Sequence, residues 1–284
     1  RNGPFTFAKP QFVHEKPDFA TAIDIGNDGI TDIIAGSPLT LYHKGLSERQ
    51  TILPRVNDGL HALSTDINND GFQDLIVSGK KTHYYQATED GKWILTQVLP
   101  SGRESVSADI DHDGDLDLLL MGPSKTHLFA NDGSGDLSDI TNKAGLLPEL
   151  TFDQVVFSDF DNDRDIDFFT RADGSVYLYT NNRDGTFTNI AEELGLPAVG
   201  IDYLLIEDPN QDGYMDCVML NDKSELIYFE NGNGFVFTEK QRLTDIQAHS
   251  IASSDIDSDG DIDLWCIEDL EINTIAWHRG AWER

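Results

Sequence analysis

The residues whose chemistry is most legible lie in six acidic nine-residue stretches: Asp24 to Asp32, Asp66 to Asp74, Asp109 to Asp117, Asp159 to Asp167, Asp208 to Asp216 and Asp255 to Asp263. Carboxylates or side-chain amides fall at positions 1, 3, 5 and 9, save for Gly26 at position 3 of the first, mostly with glycine at position 6, and each stretch runs directly into an apolar segment. Alternate oxygen donors wrapped round a tight turn suit a hard divalent cation. Ca²⁺ takes about six to eight oxygens, here from side chains at 1, 3 and 5, a backbone carbonyl at 7 and a carboxylate at 9. Glycine at 6 permits the positive φ that bends the chain round the ion.

Four of the six stretches carry the whole donor set. They are Asp66, Asn68, Asp70 and Asp74, with the Phe72 carbonyl; Asp109, Asp111, Asp113 and Asp117, with Asp115; Asp208, Asn210, Asp212 and Asp216, with Tyr214; and Asp255, Asp257, Asp259 and Asp263, with Asp261. The first loop has Asp24, Asp28 and Asp32 with Ile30 at position 7, but Gly26 at position 3, so it lacks one ligand and should bind more weakly unless water substitutes. The fourth keeps Asp159, Asp161, Asp163 and Asp167 with Asp165 at position 7, but sets Arg164 where glycine is expected. A left-handed conformation there costs an L-residue about 1–2 kcal/mol, which predicts weakened binding. One Asp-Gly turn could be explained by aspartate bonding its own backbone; six with identical phasing point to metal. Mg²⁺ demands a tighter octahedron, and Zn²⁺ would call for His or Cys. The expectation is up to six Ca²⁺, four of them at complete sites.

Something must hold these loops at regular intervals. They begin every 42 to 50 residues, a period that marks propellers and other repeat arrays. Short stretches rich in small or β-branched residues precede each loop, such as FATAIDI and ESVSADI, and suit a crowded inner strand. Near-continuous apolar runs follow, such as DLIVSG and DLLLMG, as expected of a strand covered on both faces. A third run carries the aromatics (THYYQA, VYLYTN, LIYFEN), and a fourth, more polar, fits an outer edge (KWILTQV, FVFTEK). Turn signals at Asn131-Asp-Gly and Arg183-Asp-Gly read as hairpins. NKAGLL and AEELGL leave room for single helical turns. The predicted fold is all-β: one domain over residues 1–284, a six-bladed β-propeller of four-stranded antiparallel blades. Phe5 to Lys9 is expected to supply the outer strand of the last blade, because the final repeat stops after AWER. A truncated seven-bladed ring is the alternative.

Glycine at 24 residues and an aromatic content of 10% fit a turn-rich β protein and exclude a disordered chain. The formal charge of −31 is concentrated in the loops, which should repel internally without metal. With only 20 Lys and Arg, nucleic acid is not an expected partner, and no apolar run of about 20 residues is present to insert in a membrane. Cys217 and Cys266 read either as buried free thiols or as a bridge between neighbouring repeats, the former favoured.

The loops DINNDGFQD, DIDHDGDLD, DPNQDGYMD and DIDSDGDID resemble the FG-GAP or VCBS repeats of integrin α-subunit propellers and of many secreted bacterial and fungal proteins. The segments NNRDGTFTNIAEELGL and NDGSGDLSDITNKAGLL are similar to the repeat endings of cartilage-acidic-protein-like proteins. The resemblance implies that the loops are structural, tying together the two inner strands of a blade. It also implies a binding platform for protein, or sugar pockets between blades.

Ligands of such rings are expected opposite the acidic loops, where the chain places Asp18, His61, Arg103, Glu104, Asp153, Asp202, Tyr203 and His249. The competing reading of these residues is solvated turns. The aromatics of the third strands could stack on sugars or simply pack between blades. No GxSxG or HExxH signature occurs, so an enzyme is not expected. The functional expectation is an extracellular, calcium-stabilised binding module for a protein or carbohydrate, monomeric or part of a larger chain. A glycan-active lyase or dehydratase using the same mouth is the alternative.

Overall fold

The structure, a computed structural model, describes residues 19–24, 29–36, 39–43, 48–53, 61–147, 150–197, 200–232, 235–244, 246, 248, 250–255, 260–267, 272–278 and 281–283. Within them the chain forms six four-stranded antiparallel sheets, each built from strands consecutive in sequence and paired in that order. This is the repeating unit of a propeller-like fold.

The first strands are Ala20–Ile23, His61–Thr65, Glu104–Ala108, Gln154–Ser158, Ile201–Glu207 and Ser250–Ser254. Their small and β-branched side chains are mostly half-buried, as in Gln154–Ser158 throughout. The second strands, Asp32–Ala35, Asp74–Ser78, Asp117–Met121, Asp167–Ala172, Asp216–Asn221 and Asp263–Ile267, hold the apolar runs. Every residue of Asp74–Ser78, Asp117–Met121 and Asp216–Asn221 is buried, as a strand covered on both faces requires. The third strands are Leu39–His43, Thr82–Ala87, Thr126–Asn131, Ser175–Asn181, Leu226–Gly232 and Ile272–His278. The fourth are Glu48–Leu53, Trp93–Leu99, Leu137–Asp139, Phe187–Asn189, Val236–Leu243 and Ala281–Glu283. Val236–Leu243 and Trp93–Leu99 are largely exposed, consistent with outer edges.

The outer strand described for the sixth sheet is thus Ala281–Glu283, paired through Trp277↔Trp282. The closing strand expected at Phe5 to Lys9 lies outside the described residues. The two short helical turns are present: the Ala144 amide donates to Ile140 O at 2.8 Å, and the Leu194 amide to Ile190 O at 3.1 Å.

The chain divides into two compact units, one of Arg1–Ser107, Leu118–Pro123 and Ala130–Ser138, the other of Ala108–Asp117, Ser124–Phe129 and Asp139–Arg284. In the first, Ile34, Leu41, Leu75 and Val77 pack together, with Trp93 and Phe19 against them. In the second, one cluster joins Phe160, Phe169, Leu204, Met219 and Phe237, and another joins Val218, Tyr228, Ile246, Leu264 and Cys266. Phe160 meets Phe169 edge-on at 4.8 Å, and Phe168 stacks on Tyr179 at 4.8 Å. Each such side chain contributes about 1.5–3 kcal/mol by leaving water. Tyr84, Tyr85, Tyr179 and Tyr228 are buried, so these third-strand aromatics serve packing. Tyr177 remains half-exposed. Cys217 and Cys266 are buried thiols that form no disulfide.

Candidate metal centre

Each acidic stretch is the connection between the first and second strands of its sheet. The residue before position 1 pairs with position 9, as in Ile23↔Asp32, Thr65↔Asp74, Ser158↔Asp167, Glu207↔Asp216 and Ser254↔Asp263. Position 9 therefore opens every second strand and lies almost wholly inside, from 0% exposure at Asp74 and Asp216 to 3% at Asp32.

One hydrogen bond recurs in all six loops. The position-6 amide donates to the position-1 carboxylate: Gly29 to Asp24 at 2.9 Å, Gly71 to Asp66 at 2.9 Å, Gly114 to Asp109 at 3.2 Å, Arg164 to Asp159 at 3.0 Å, Gly213 to Asp208 at 2.9 Å and Gly260 to Asp255 at 3.2 Å. The position-7 amide donates to position 5, as from Phe72 to Asp70 and Tyr214 to Asp212, both at 2.9 Å. Position 6 has positive φ throughout, from +78° at Arg164 to +99° at Gly260. The strained arginine expected at Arg164 is therefore present in the conformation expected of it.

The buried position-9 carboxylate ties the loop to the rest of its sheet. Asp74 accepts from the amides of Ile67 at 3.1 Å and Ala87 at 2.9 Å and from the Tyr84 hydroxyl at 3.0 Å. Asp216 accepts from the Asn231 amide at 2.8 Å and the Tyr228 hydroxyl at 2.6 Å. Burial nevertheless pushes Asp167 and Asp216 up to about 7, against the lowering effect of these donors. Burial also raises Asp74, Asp111 and Asp161, the last two further lifted by the neighbouring carboxylates Asp113 and Asp163. A cation in the loop would reverse both effects by stabilising the charged forms.

Two loops gather their carboxylates tightly. Oxygens of Asp109, Asp111 and Asp117, and likewise of Asp159, Asp161 and Asp167, lie within 4.8 Å of one another and could hold a metal ion. Oδ1 of Asp109 is buried and accepts no hydrogen bond, leaving an oxygen suited to a cation. All-oxygen donors fit a hard ion rather than a transition metal. Asp28, Asp257 and Asp259 lie outside the described residues.

Two features escaped the sequence reading. Position 4 is also left-handed, with φ of +53° at Asn69, +59° at His112, +60° at Asn162 and +57° at Gln211. Its side chain reaches the following loop: Asn162 Nδ2 donates to Gly213 O at 3.3 Å, and Gln211 Nε2 to Gly260 O at 2.7 Å. The second is an asparagine at the last or next-to-last position of the third strand, which donates to the position-2 carbonyl of the preceding sheet's loop. Asn131 reaches Ile67 O at 2.7 Å, Asn181 reaches Ile110 O at 2.6 Å and Asn231 reaches Phe160 O at 2.8 Å.

The described residues expected to ring a ligand mouth stand just before first strands or among their first three residues, away from the loops. Asp153 pairs with Arg171 at 3.7 Å. His61 is half-buried, and its Nδ1 is enclosed without a partner. Burial lowers its pKa against the raising influence of Glu104, which stands near it. Arg103, Glu104 and Asp202 are exposed, and Tyr203 packs on the Val218 cluster. Asp18 and His249 lie outside the described residues.

Four-stranded sheets in series, each turned by an acidic hairpin of fixed hydrogen bonding, define an all-β, propeller-like repeat protein. The chain belongs to the FG-GAP-like repeat family, whose model matches residues 109–170, 159–204 and 208–266, more than half of its length. No curated protein matches it. Among solved structures it is similar to a lectin of Agrocybe aegerita that specifically recognises non-reducing terminal N-acetylglucosamine, at 15% identity, over 94% of this chain and 78% of that one, with a TM-score of 0.61. It is also similar to a protein from Lactobacillus plantarum (12% identity, 93% and 80% covered, TM-score 0.53). A third is the Vibrio cholerae biofilm matrix protein Bap1 (9% identity, 90% and 67% covered, TM-score 0.51). At these identities the likeness is one of fold.

Proposed function

We propose that this chain is an extracellular, calcium-stabilised binding module: one domain of six blades that recognises a protein or carbohydrate on the face opposite the acidic loops. The observation that carries the reading is the uniform loop. In all six, the position-6 amide closes on the position-1 carboxylate while the position-9 carboxylate is buried. Such a cage holds several negative charges together at a cost that a bound cation would offset. Positions 1, 3, 5 and 9 would hold Ca²⁺, whose charge would neutralise oxygens otherwise raised in pKa by burial and by each other. The loops join the first and second strands of each sheet, so the metal acts on folding. Ligand contact is left to the opposite ends of the sheets, and a lectin among the similar folds supports sugar as one candidate class. Extracellular calcium, near millimolar, would fill even weak loops of this kind.

Melting followed by circular dichroism with EDTA and with about 1 mM Ca²⁺ tests the metal. A large rise with Ca²⁺ and none with Mg²⁺ at equal concentration is expected; equal melting in EDTA and Ca²⁺ would sink the reading. A glycan array probed in Ca²⁺ then separates sugar from protein as ligand class.

A further inference from the structure

The third and fourth loops carry the same donors, aspartates at positions 1, 3, 5, 7 and 9, yet differ in their surroundings. Both the third sheet and the fourth use a left-handed residue in the turn between third and fourth strands. In the third sheet that residue is Gly133, at φ +79°; in the fourth it is Arg183, at φ +61°. Glycine takes this conformation freely, whereas arginine is strained by about 1 kcal/mol or more. The Arg183 side chain crosses to the fourth loop. Its Nε donates to Asp165 Oδ2, its Nη2 donates to the Asp163 carbonyl, and Nη2 lies 3.3 Å from Asp163 Oδ2. Asp165 is 8% exposed, and its Oδ1 faces His112 Nε2 of the third loop at 3.3 Å.

Resting on the calcium reading above, we infer that Arg183 is a tethered cation of the fourth loop: it occupies carboxylates at positions 5 and 7 and so sets that loop's metal affinity below that of the third. A guanidinium against Asp163 and Asp165 offsets part of the negative charge that draws a divalent ion, and it competes for an oxygen of the position-5 ligand. The third loop has Gly133 at the matching turn, which carries no side chain to reach it. The acidic cage of the fourth loop is thereby partly neutralised by the protein itself.

The test uses backbone amides as reporters of single loops, since the Gly114 and Arg164 N–H groups each close on a position-1 carboxylate. Ca²⁺ is titrated into the whole chain, and both amide resonances are followed by NMR. In R183Q, which keeps an L-residue at the strained turn, and in R183G, which relieves it, the Arg164 midpoint should fall roughly three- to tenfold. The Gly114 midpoint should move less than about twofold. An unchanged or raised Arg164 midpoint in R183Q overturns the inference. So does tightening in R183G alone, which would assign the effect to backbone strain. If neither amide responds to Ca²⁺ up to about 10 mM in the folded wild-type protein, the calcium reading itself falls and takes this one with it.

Discussion

Asn231 Nδ2 donates to the backbone carbonyl of Phe160 at 2.8 Å, from the end of a third strand to position 2 of the preceding sheet's acidic loop. The backbone amide of Asn231 meanwhile donates to Asp216, the buried carboxylate that opens its own sheet's second strand. One residue thus fastens two successive repeats, and the same bond recurs from Asn131 and Asn181. Asn231→Ala leaves a buried carbonyl unpaired and should cost about 1–3 kcal/mol. Urea denaturation of the calcium-loaded protein measures this; a midpoint shift no larger than that of exposed Asn182→Ala would contradict the role.

The metal-free protein should lose stability as pH rises. Burial pushes Asp167 and Asp216 up to about 7 in the fold, well above the usual carboxylate range. The native state therefore holds these protons more tightly than the unfolded chain. Their contribution is fully present below about pH 4 and is lost as pH climbs through about 7. Calcium bound as proposed would displace the same protons, so its stabilising effect should grow from pH 5 to pH 8. Melting curves in EDTA and in Ca²⁺ across that range check both trends, and a gap that narrows with rising pH would refute them.

Glycine at position 6 should matter for φ rather than for space. A Cβ added at Gly213 meets nothing within 4 Å, yet the residue stands at φ +87°. Gly213→Ala should therefore cost about 1 kcal/mol, and Arg164→Gly, at φ +78°, should recover a similar amount. Chemical denaturation in EDTA separates these backbone effects from metal binding; equal stability of G213A and wild type would show that strain there is negligible.

Gln154 stands beside the expected mouth but is committed to the scaffold. Its Nε2 donates to Leu204 O at 2.6 Å, and its Oε1 accepts from the Leu204 amide at 3.3 Å, so the side chain imitates a strand partner between the fourth and fifth sheets. Gln154→Leu should lower stability by about 1–3 kcal/mol while leaving any glycan-array pattern unchanged. Loss of a sugar signal in a folded Q154L protein would place the residue in a binding site instead.

The acidic loops and the strands after them were legible because both have a fixed period: alternate oxygens in nine residues, then an unbroken apolar run. The left-handed position 4 was harder to see. Asn69, His112 and Asn162 are of types enriched at positive φ, but Gln211 carries no such signal. The asparagine staples left no local trace, because Asn231 and Phe160 lie 71 residues apart in sequence. Among the mouth residues, side-chain type alone could not tell that Asp153 would be paired with Arg171, since that pairing depends on how a second strand returns.

Position 9 is both a loop donor and the first residue of a second strand, and this has a kinetic consequence. In a chain of six similar repeats, a strand could join the wrong neighbour or slip by one residue, turning apolar side chains outward. Closing the nine-residue loop fixes the frame of the first pairing from within one short segment, before any distant contact is needed. Each sheet then starts from its own local nucleus, and calcium present during refolding should raise the yield of correctly framed protein as well as its final stability.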